Sequence, residues 1–212
     1  MKTILKQEDI ELVENQIMKF EEVTGSDLLV IITESSDPYP AAPWRFGFIS
    51  SIIISFIFAY YVEFNHPLLW PLFFALLMIV CTWVGHFSWA KRLTLAYWEV
   101  ERECKEKAVE LFHSLGTANV AHQVTAMIMI SLYEREIEVL VDKKLAEKIS
   151  IDDLNLMVEK MRVEFKQGNF TKGLIHSMGI LEEKILLRFN GKVCDHANQE
   201  LHNSIIFLKG DE

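Results

Sequence analysis

The sequence predicts an α/β protein, a compact sandwich of helices on a small mixed sheet, interrupted by a transmembrane helical hairpin. Three observations predict it. Two runs, Phe46 to Val62 and Leu68 to Trp89, contain no Asp, Glu, Lys or Arg, and about 17–22 helical residues at ~1.5 Å each span the roughly 30 Å hydrocarbon core of a bilayer. Short segments that are apolar throughout or alternate, at Asp27 to Thr33, Val124 to Ser131 and Glu136 to Val141, read as strands. Around them stand segments whose apolar residues recur every three or four positions, the period of a helix with one buried face.

Gln7 to Val23 is predicted helical, with Ile10, Val13, Ile17 and Phe20 on one arc and Glu8, Glu11, Glu14 and Lys19 on the other. Gly25 is free to take the left-handed conformation that ends a helix. Asp27 to Thr33 follows that stop, is too short for another helix, and has the continuous apolarity of a strand buried on both faces. Glu34 to Pro43, with three prolines, is a connector. Met1 to Pro43 reads as polar and helical, without a cleavable signal.

Backbone N–H and C=O groups in lipid must be paired within the segment, so both apolar runs are predicted helical despite β-favouring residues such as Ile52, Ile53 and Ile54. Glu63-Phe64-Asn65-His66-Pro67 joins them. Pro71 falls in the first turn of the second run, where its missing N–H is harmless. Trp44, Tyr60, Tyr61, Trp70 and Trp89 lie at the ends, where an interfacial belt of aromatics belongs. A pair of soluble core helices is the alternative, but such helices carry a polar stripe, and these carry only scattered Ser, Thr and His86. His86 is read as neutral and satisfied by the partner helix. The connecting loop has no Lys or Arg, whereas Arg45 precedes the first run and Lys91, Arg92, Arg102, Lys105 and Lys107 follow the second. Both termini are therefore predicted cytoplasmic, with the inverted orientation as runner-up.

Lys91 to Leu115 is predicted as one long helix leaving the second span, with Ala108, Leu111, Phe112 and Leu115 facing a core and Gly116 ending it. Only Leu132 to Arg135 separates the second strand from the third, which permits an antiparallel hairpin alone. The first strand reaches the second through helices, which demands a parallel crossover with the spans inserted in it. Ser150 and Asp153 resemble a capping box, and Ile151, Leu154, Val158, Met161 and Phe165 form the stripe of the next helix. Gly168-Asn169 stops it and caps another over Phe170 to Phe189, with Leu174, Met178, Leu181 and Ile185 inward and Asn190-Gly191 at its end. Ile205 to Leu208 either adds an edge strand or docks. The expected divisions are 1–45 and 91–191 as parts of one domain, 46–90 as two spans, and 192–212 as a tail.

A formal charge of −9 argues against nucleic acid as a partner and against attraction to anionic lipid, so the basic cluster after the second run serves topology. Three cysteines, Cys81, Cys104 and Cys194, form no CxxC and fit reduced thiols in the cytoplasm. The chain has no GxGxxG, GxxxxGK[ST], HExxH or GxSxG. His113, His122, His176, His196 and His202 are scattered, and the adjacency of Cys194, Asp195 and His196 makes no catalytic geometry. By the topology above, Asp27 and Asp142 share one edge of the sheet. Glu34 and Glu134 share the other, at the carboxyl ends of the parallel strands where ligands of open α/β sheets sit. Carboxylates suit Ca²⁺ or Mg²⁺. The bland reading is solvated caps at strand ends, and for Glu134 with Arg135 a turn and its ion pair.

Phe20 to Ile32 (FEEVTGSDLLVII), Met127 to Leu145 (MIMISLYEREIEVLVDKKL) and Phe165 to Phe189 (FKQGNFTKGLIHSMGILEEKILLRF), in this order of elements, resemble the TPM domain family. They resemble its branch of bacterial membrane proteins in which a two-span hairpin interrupts the domain, and the Glu134-Arg135 turn with Asp142 is the most particular part. The resemblance implies a compact α/β sandwich with a small mixed sheet. It also implies one of several roles found among relatives: acid phosphatase, divalent-metal binding, or assembly and accessory work in membranes. Asp27 and Asp142 match acidic positions of the family pattern and are the first candidates for holding Ca²⁺ or Mg²⁺; Glu34 and Glu134 are the next. Many TPM domains lie outside the cytoplasm, against the orientation read from charge. Asn119-Val120-Ala121-His122-Gln123-Val124 departs from the Thr-Arg-Gly-type segment expected before the second strand. The expected function is a membrane-anchored interaction or accessory module of the bacterial inner membrane with a membrane-associated protein partner. The alternatives are a metal-dependent acid phosphatase acting on a small phosphorylated compound, and a structural protein that oligomerises through its hairpin, which the absence of GxxxG helps little.

Overall fold

Seven consecutive buried residues, Asp27–Thr33, form the strand around which the first of two structural units is built. A computed structural model describes residues 6–61, 67–116, 125–193 and 205–209. The chain divides into one unit of Met1–Asp37 with Arg102–Glu212 and another of Pro38–Glu101. It is mostly helical with a small mixed four-stranded sheet, an α/β arrangement.

In the first unit, β1 (Asp27–Thr33), β2 (Thr125–Ser131), β3 (Glu136–Val141) and β4 (Ile206–Leu208) lie in the order β3-β2-β1-β4. β2 runs parallel to β1, with Asp27 beside Thr125 and Thr33 beside Ser131. β3 runs antiparallel to β2, with Ser131 opposite Glu136. Both pairings are those expected from the connections. β4 adds a parallel edge beside β1, which resolves the open choice for that segment and flanks β1 on both sides. Leu28, Val30 and Ile32 on one face join Ala126, Ile128, Ile130 and Ile137 in the core, together with the buried stripes of three helices. These are α1 (Gln7–Thr24), α7 (Ile151–Lys166) and α8 (Phe170–Phe189), with a short α6 (Lys143–Ala146) between β3 and α7. α1 ends as expected, at Gly25 with φ 68°, its N–H donating to the Glu21 carbonyl. α8 buries all four predicted positions. In α7, Leu154, Val158, Met161 and Phe165 of the predicted stripe pack on the core, joined by Met157, whereas Ile151 is 75% exposed. Ser150 caps the helix through the Asp153 N–H as predicted, which leaves Ile151 in the wet first turn.

The second unit holds α2 (Ala42–Tyr61), α3 (Leu69–Gly85) and α4 (Ser88–Thr94). The expected single helix from Lys91 to Leu115 is interrupted: α4 ends at Thr94, Leu95 is extended, and α5 (Tyr97–Leu111) follows, closing in one π-type turn over Phe112–Gly116. Within α5, Cys104, Ala108 and Leu111 are buried. The second apolar run is also shorter as a helix than predicted. α3 stops at Gly85, Phe87 is extended, and α4 turns away by 107°. The Thr94 hydroxyl donates to the carbonyls of Ala42 and Lys91, and the Trp89 ring meets Phe46 edge-on, so the break is held by contacts that only a turned chain can make. α2 is long and apolar enough to cross a membrane; α3 and α4 pass that test only when taken together.

α2 and α3 pack antiparallel through small residues. Gly47 faces Thr82 across the pair, and Gly85 faces Pro43: a Cβ on Gly47 would lie 2.9 Å from the Thr82 backbone, and one on Gly85 2.7 Å from the Pro43 carbonyl, while Ser51 on α2 is buried. Farther along, Phe58 stacks on Phe73 with centroids 4.5 Å apart. Pro71 sits in the first turn of α3 as predicted. His86 Nδ1 lies 3.0 Å from the Thr82 carbonyl of the preceding turn, so its partner is its own backbone and not the facing helix.

Candidate functional site

The β strands bring the four predicted acids to the two edges expected of them, and the edges differ in chemistry. At the carboxyl end of β1 and β2, Glu134 is drawn inward. Its Oε1 accepts the Ser36 N–H at 2.9 Å and its Oε2 accepts the Ser131 hydroxyl. Ser36 Oγ and Cys104 Sγ lie 3.1 Å apart, and both residues are buried. One carboxylate thus ties the loop after β1 to the β2–β3 turn. Backbone bonds reinforce the link, with Leu132 N–H donating to Thr33 and Tyr133 N–H to Glu34. The bland reading of Glu134 with Arg135 as a turn and its ion pair holds for the turn alone: Arg135 takes a left-handed φ of 60° there, and both Glu134 oxygens are bonded to Ser36 and Ser131. Glu34 contributes backbone groups, and its side chain is exposed.

This edge holds a serine, a thiol and a carboxylate whose polar atoms are bonded to one another. Ser131 is fully buried. The Cys104 thiol is pushed up to about 12, chiefly by burial, against the lowering effect of the Ser36 hydrogen bond and with smaller additions from Glu134, Glu136 and Glu138. The Cys104 thiol stays protonated, and the buried Ser131 hydroxyl is committed to Glu134.

At the opposite edge, Asp27 opens β1 beside Thr125, and Asp142 follows Val141, which pairs with Ala126. Two strand spacings, about 10 Å, therefore separate the two aspartates. Asp142 is the N-cap of α6, its Oδ1 accepting the Leu145 N–H at 2.9 Å. Asp27 is 6% exposed, and its Oδ2 has no hydrogen-bond partner among the described residues. Burial raises its carboxyl to about 6. Glu21, at the end of α1, accepts the Leu28 N–H at 3.1 Å and is raised to about 7 by burial and by Asp27, against that hydrogen bond. Sequence reasoning missed Glu21, because nothing in its spacing marks a glutamate that turns back onto the following strand.

These residues do not fit a resident divalent ion. Ca²⁺ takes about six to eight oxygens, whereas here two carboxylates stand two strands apart, one committed to a helix cap and the other buried at the start of β1. Among the described residues, no three His, Cys, Asp or Glu side chains gather to hold a metal. His122, Cys194, Asp195, His196 and His202, the segment Asn119 to Val124 and the loop Glu63 to His66 lie outside the described residues.

Residues 94–183 match the TPM domain family. The match takes in Glu134 and Asp142 and stops short of Asp27 and Glu34. No curated protein matches the chain. Among solved structures the chain is similar to the NMR structure of the BA42 protein from the psychrophilic bacterium Bizionia argentinensis. The similarity has 15% identity and a TM-score of 0.57, over 96% of this chain and 94% of that one. At that identity the likeness speaks of fold alone, and it is consistent with the α/β arrangement of helices and a small mixed four-stranded sheet.

Proposed function

We propose that the chain is a membrane-anchored TPM-like domain, an interaction or accessory module of the bacterial inner membrane with a membrane-associated protein as its partner. In this reading α2 and α3 are two spans and both termini are cytoplasmic. The observation that carries it is the outward apolar surface of the helix pair. Only 22% of the most apolar stretch of α2 is buried, whereas a soluble core helix of that composition would be mostly buried. Phe56 is 76% exposed, Leu76 62% and Trp83 69%. Facing inward instead are Gly47, Ser51, Cys81, Thr82 and Gly85. Small residues inside and bulk outside is the arrangement of helices that pair in lipid, where tails solvate the bulk and backbone approach drives association. The 17 residues of α3 fall at the short end of the spanning range, about 17–25. The turned α4, with Lys91, Arg92 and Trp89, suits a helix lying in the interface. Arg45 pairs with Glu99 in bidentate fashion at 2.5 and 2.9 Å, which neutralises the one cation at the start of α2.

The accessory reading is preferred to a phosphatase because the Cys104 thiol is buried and protonated, the Ser131 hydroxyl is tied to Glu134, and Asp27 with Asp142 lacks the geometry of a metal site. The test is flotation of membranes from cells expressing the full chain, followed by an alkaline carbonate wash. The chain is expected to float with lipid and resist the wash; release into the aqueous fraction would overturn the proposal.

A further inference from the structure

A cavity of about 600 Å³ opens between the β2–β3 turn and the facing ends of α7 and α8, at the end of the sheet away from Asp27 and Asp142. Its lining is bipartite. Arg135, Arg162 and Lys166 supply three cations against one carboxylate, Glu136, while Phe165 and Phe170 form an apolar wall with ring centroids 4.7 Å apart. Arg162 holds Glu136 through Nη2 and reaches Glu159 at 3.5 Å through Nη1, yet its Nε is closed off from water with no partner among the described residues. Arg135 and Lys166 are exposed and have no carboxylate within ion-pair distance among the described residues. A surplus of cations over a concave, partly aromatic surface is unusual in a chain whose formal charge is −9.

Two features of the backbone build this cavity. Arg135 occupies left-handed space at φ 60°, which a long side chain seldom adopts and which persists where the surroundings demand it. Gly173 on α8 leaves room for the Phe165 ring, since a Cβ there would stand 2.7 Å from its Cε1. The ring is thereby kept on the cavity wall.

We propose that this cavity binds a small oxyanion carrying an apolar body, with its phosphate or carboxylate between Arg135, Lys166 and the Arg162 guanidinium and its body against Phe165 and Phe170. Arginine presents fixed forks of N–H donors that match such oxyanions, and cavities of this size commonly take ligands by an apolar wall plus a few convergent polar groups. The site does not depend on the membrane reading, because every residue in it belongs to the first unit.

The test is calorimetric titration of the full chain in detergent with phenyl phosphate, phenylacetate, inorganic phosphate and benzyl alcohol. Saturable binding of phenyl phosphate or phenylacetate, tighter than that of either inorganic phosphate or benzyl alcohol, is expected, and the stronger of the two identifies the oxyanion. The double variant Arg135→Gly with Lys166→Gln should weaken that binding about tenfold or more, as loss of charge-assisted bonds does. Its ligand-free melting temperature should be at or above the parent's, because glycine relieves the left-handed turn. Gly173→Ala should weaken binding by displacing Phe165. Equal affinity for benzyl alcohol, no saturable binding, or a double variant that folds and binds as the parent does would each overturn the proposal.

Discussion

Asp27→Asn should stabilise the protein in mild alkali and leave it unchanged in acid. Asp27 and Glu21 are raised in the folded chain to about 6 and about 7, from ordinary values of 3.8 and 4.5. Across that window, roughly pH 4 to 7, the folded chain holds more protons than the unfolded one. Stability therefore falls as pH rises through it, and the loss is complete above the folded values. A tenfold change in proton affinity corresponds to about 1.4 kcal/mol, so each carboxyl would contribute at most about 3 kcal/mol. Glu21 is half-buried, and solvent screening reduces the effect expected of the pair to about 2 kcal/mol. Replacing Asp27 with a neutral amide removes its own share and the charge it presents to Glu21. At pH 8 the variant should gain about 1–2 kcal/mol, or about 2–8 °C in Tm for a unit of this size; at pH 4 it should match the parent. Thermal unfolding of the full chain in detergent, followed by circular dichroism at pH 4, 6 and 8, measures this. A variant that melts lower than the parent at pH 8 would refute the reasoning, because it would mean that the ionised carboxylate is held by a cation or donor and is useful to the fold.

Removing the cap in Asp142→Ala should cost about 1 kcal/mol, read as a lower Tm, with no dependence on added Ca²⁺. Glu134→Ala leaves the Ser36 N–H without its acceptor and should cost about 1–3 kcal/mol, whereas Glu134→Gln keeps a carbonyl for that N–H and should cost less, both read by the same melts. Cys104 should resist a thiol reagent at pH 8 in the folded chain and react on unfolding, given a thiol pushed up to about 12. Gly47→Val forces a side chain into the Thr82 backbone and should loosen the helix pair by about 1–3 kcal/mol, seen as protease sensitivity between α2 and α3 in detergent.

Local signals carried much of the fold. Gly25 and an unbroken apolar run fix β1 between Asp27 and Thr33, and the brief Leu132–Arg135 connection dictates the antiparallel β2–β3 pair. The inward positions of α8 follow from period alone because the helix is long and buried on one side. Where the reading failed, the deciding contacts were distant. The apolar run continues across the Gly85–Phe87 break, so composition gives no sign of a turn made by Pro43, Phe46 and Ala42 on another helix. α6, four residues long, is too short to show a period, and so the helix cap that Asp142 makes is not legible in the sequence. The strand-edge positions of all four acids followed from topology, but Glu134 turns inward to Ser36 and Ser131 through a loop the sequence leaves unstructured. Arg135, Arg162 and Lys166 meet only once α7 lies beside β3, and no spacing announces them.

What surrounds the outward face of α2 and α3 in bilayers is the most direct test of two membrane spans. Nitroxide labels placed at Phe56 and at Leu76 of the full chain in liposomes should relax strongly with oxygen and weakly with a water-soluble nickel chelate, as labels surrounded by lipid tails do. Ready access of the chelate to both positions would contradict it, since the helix pair would then stand in water or within protein.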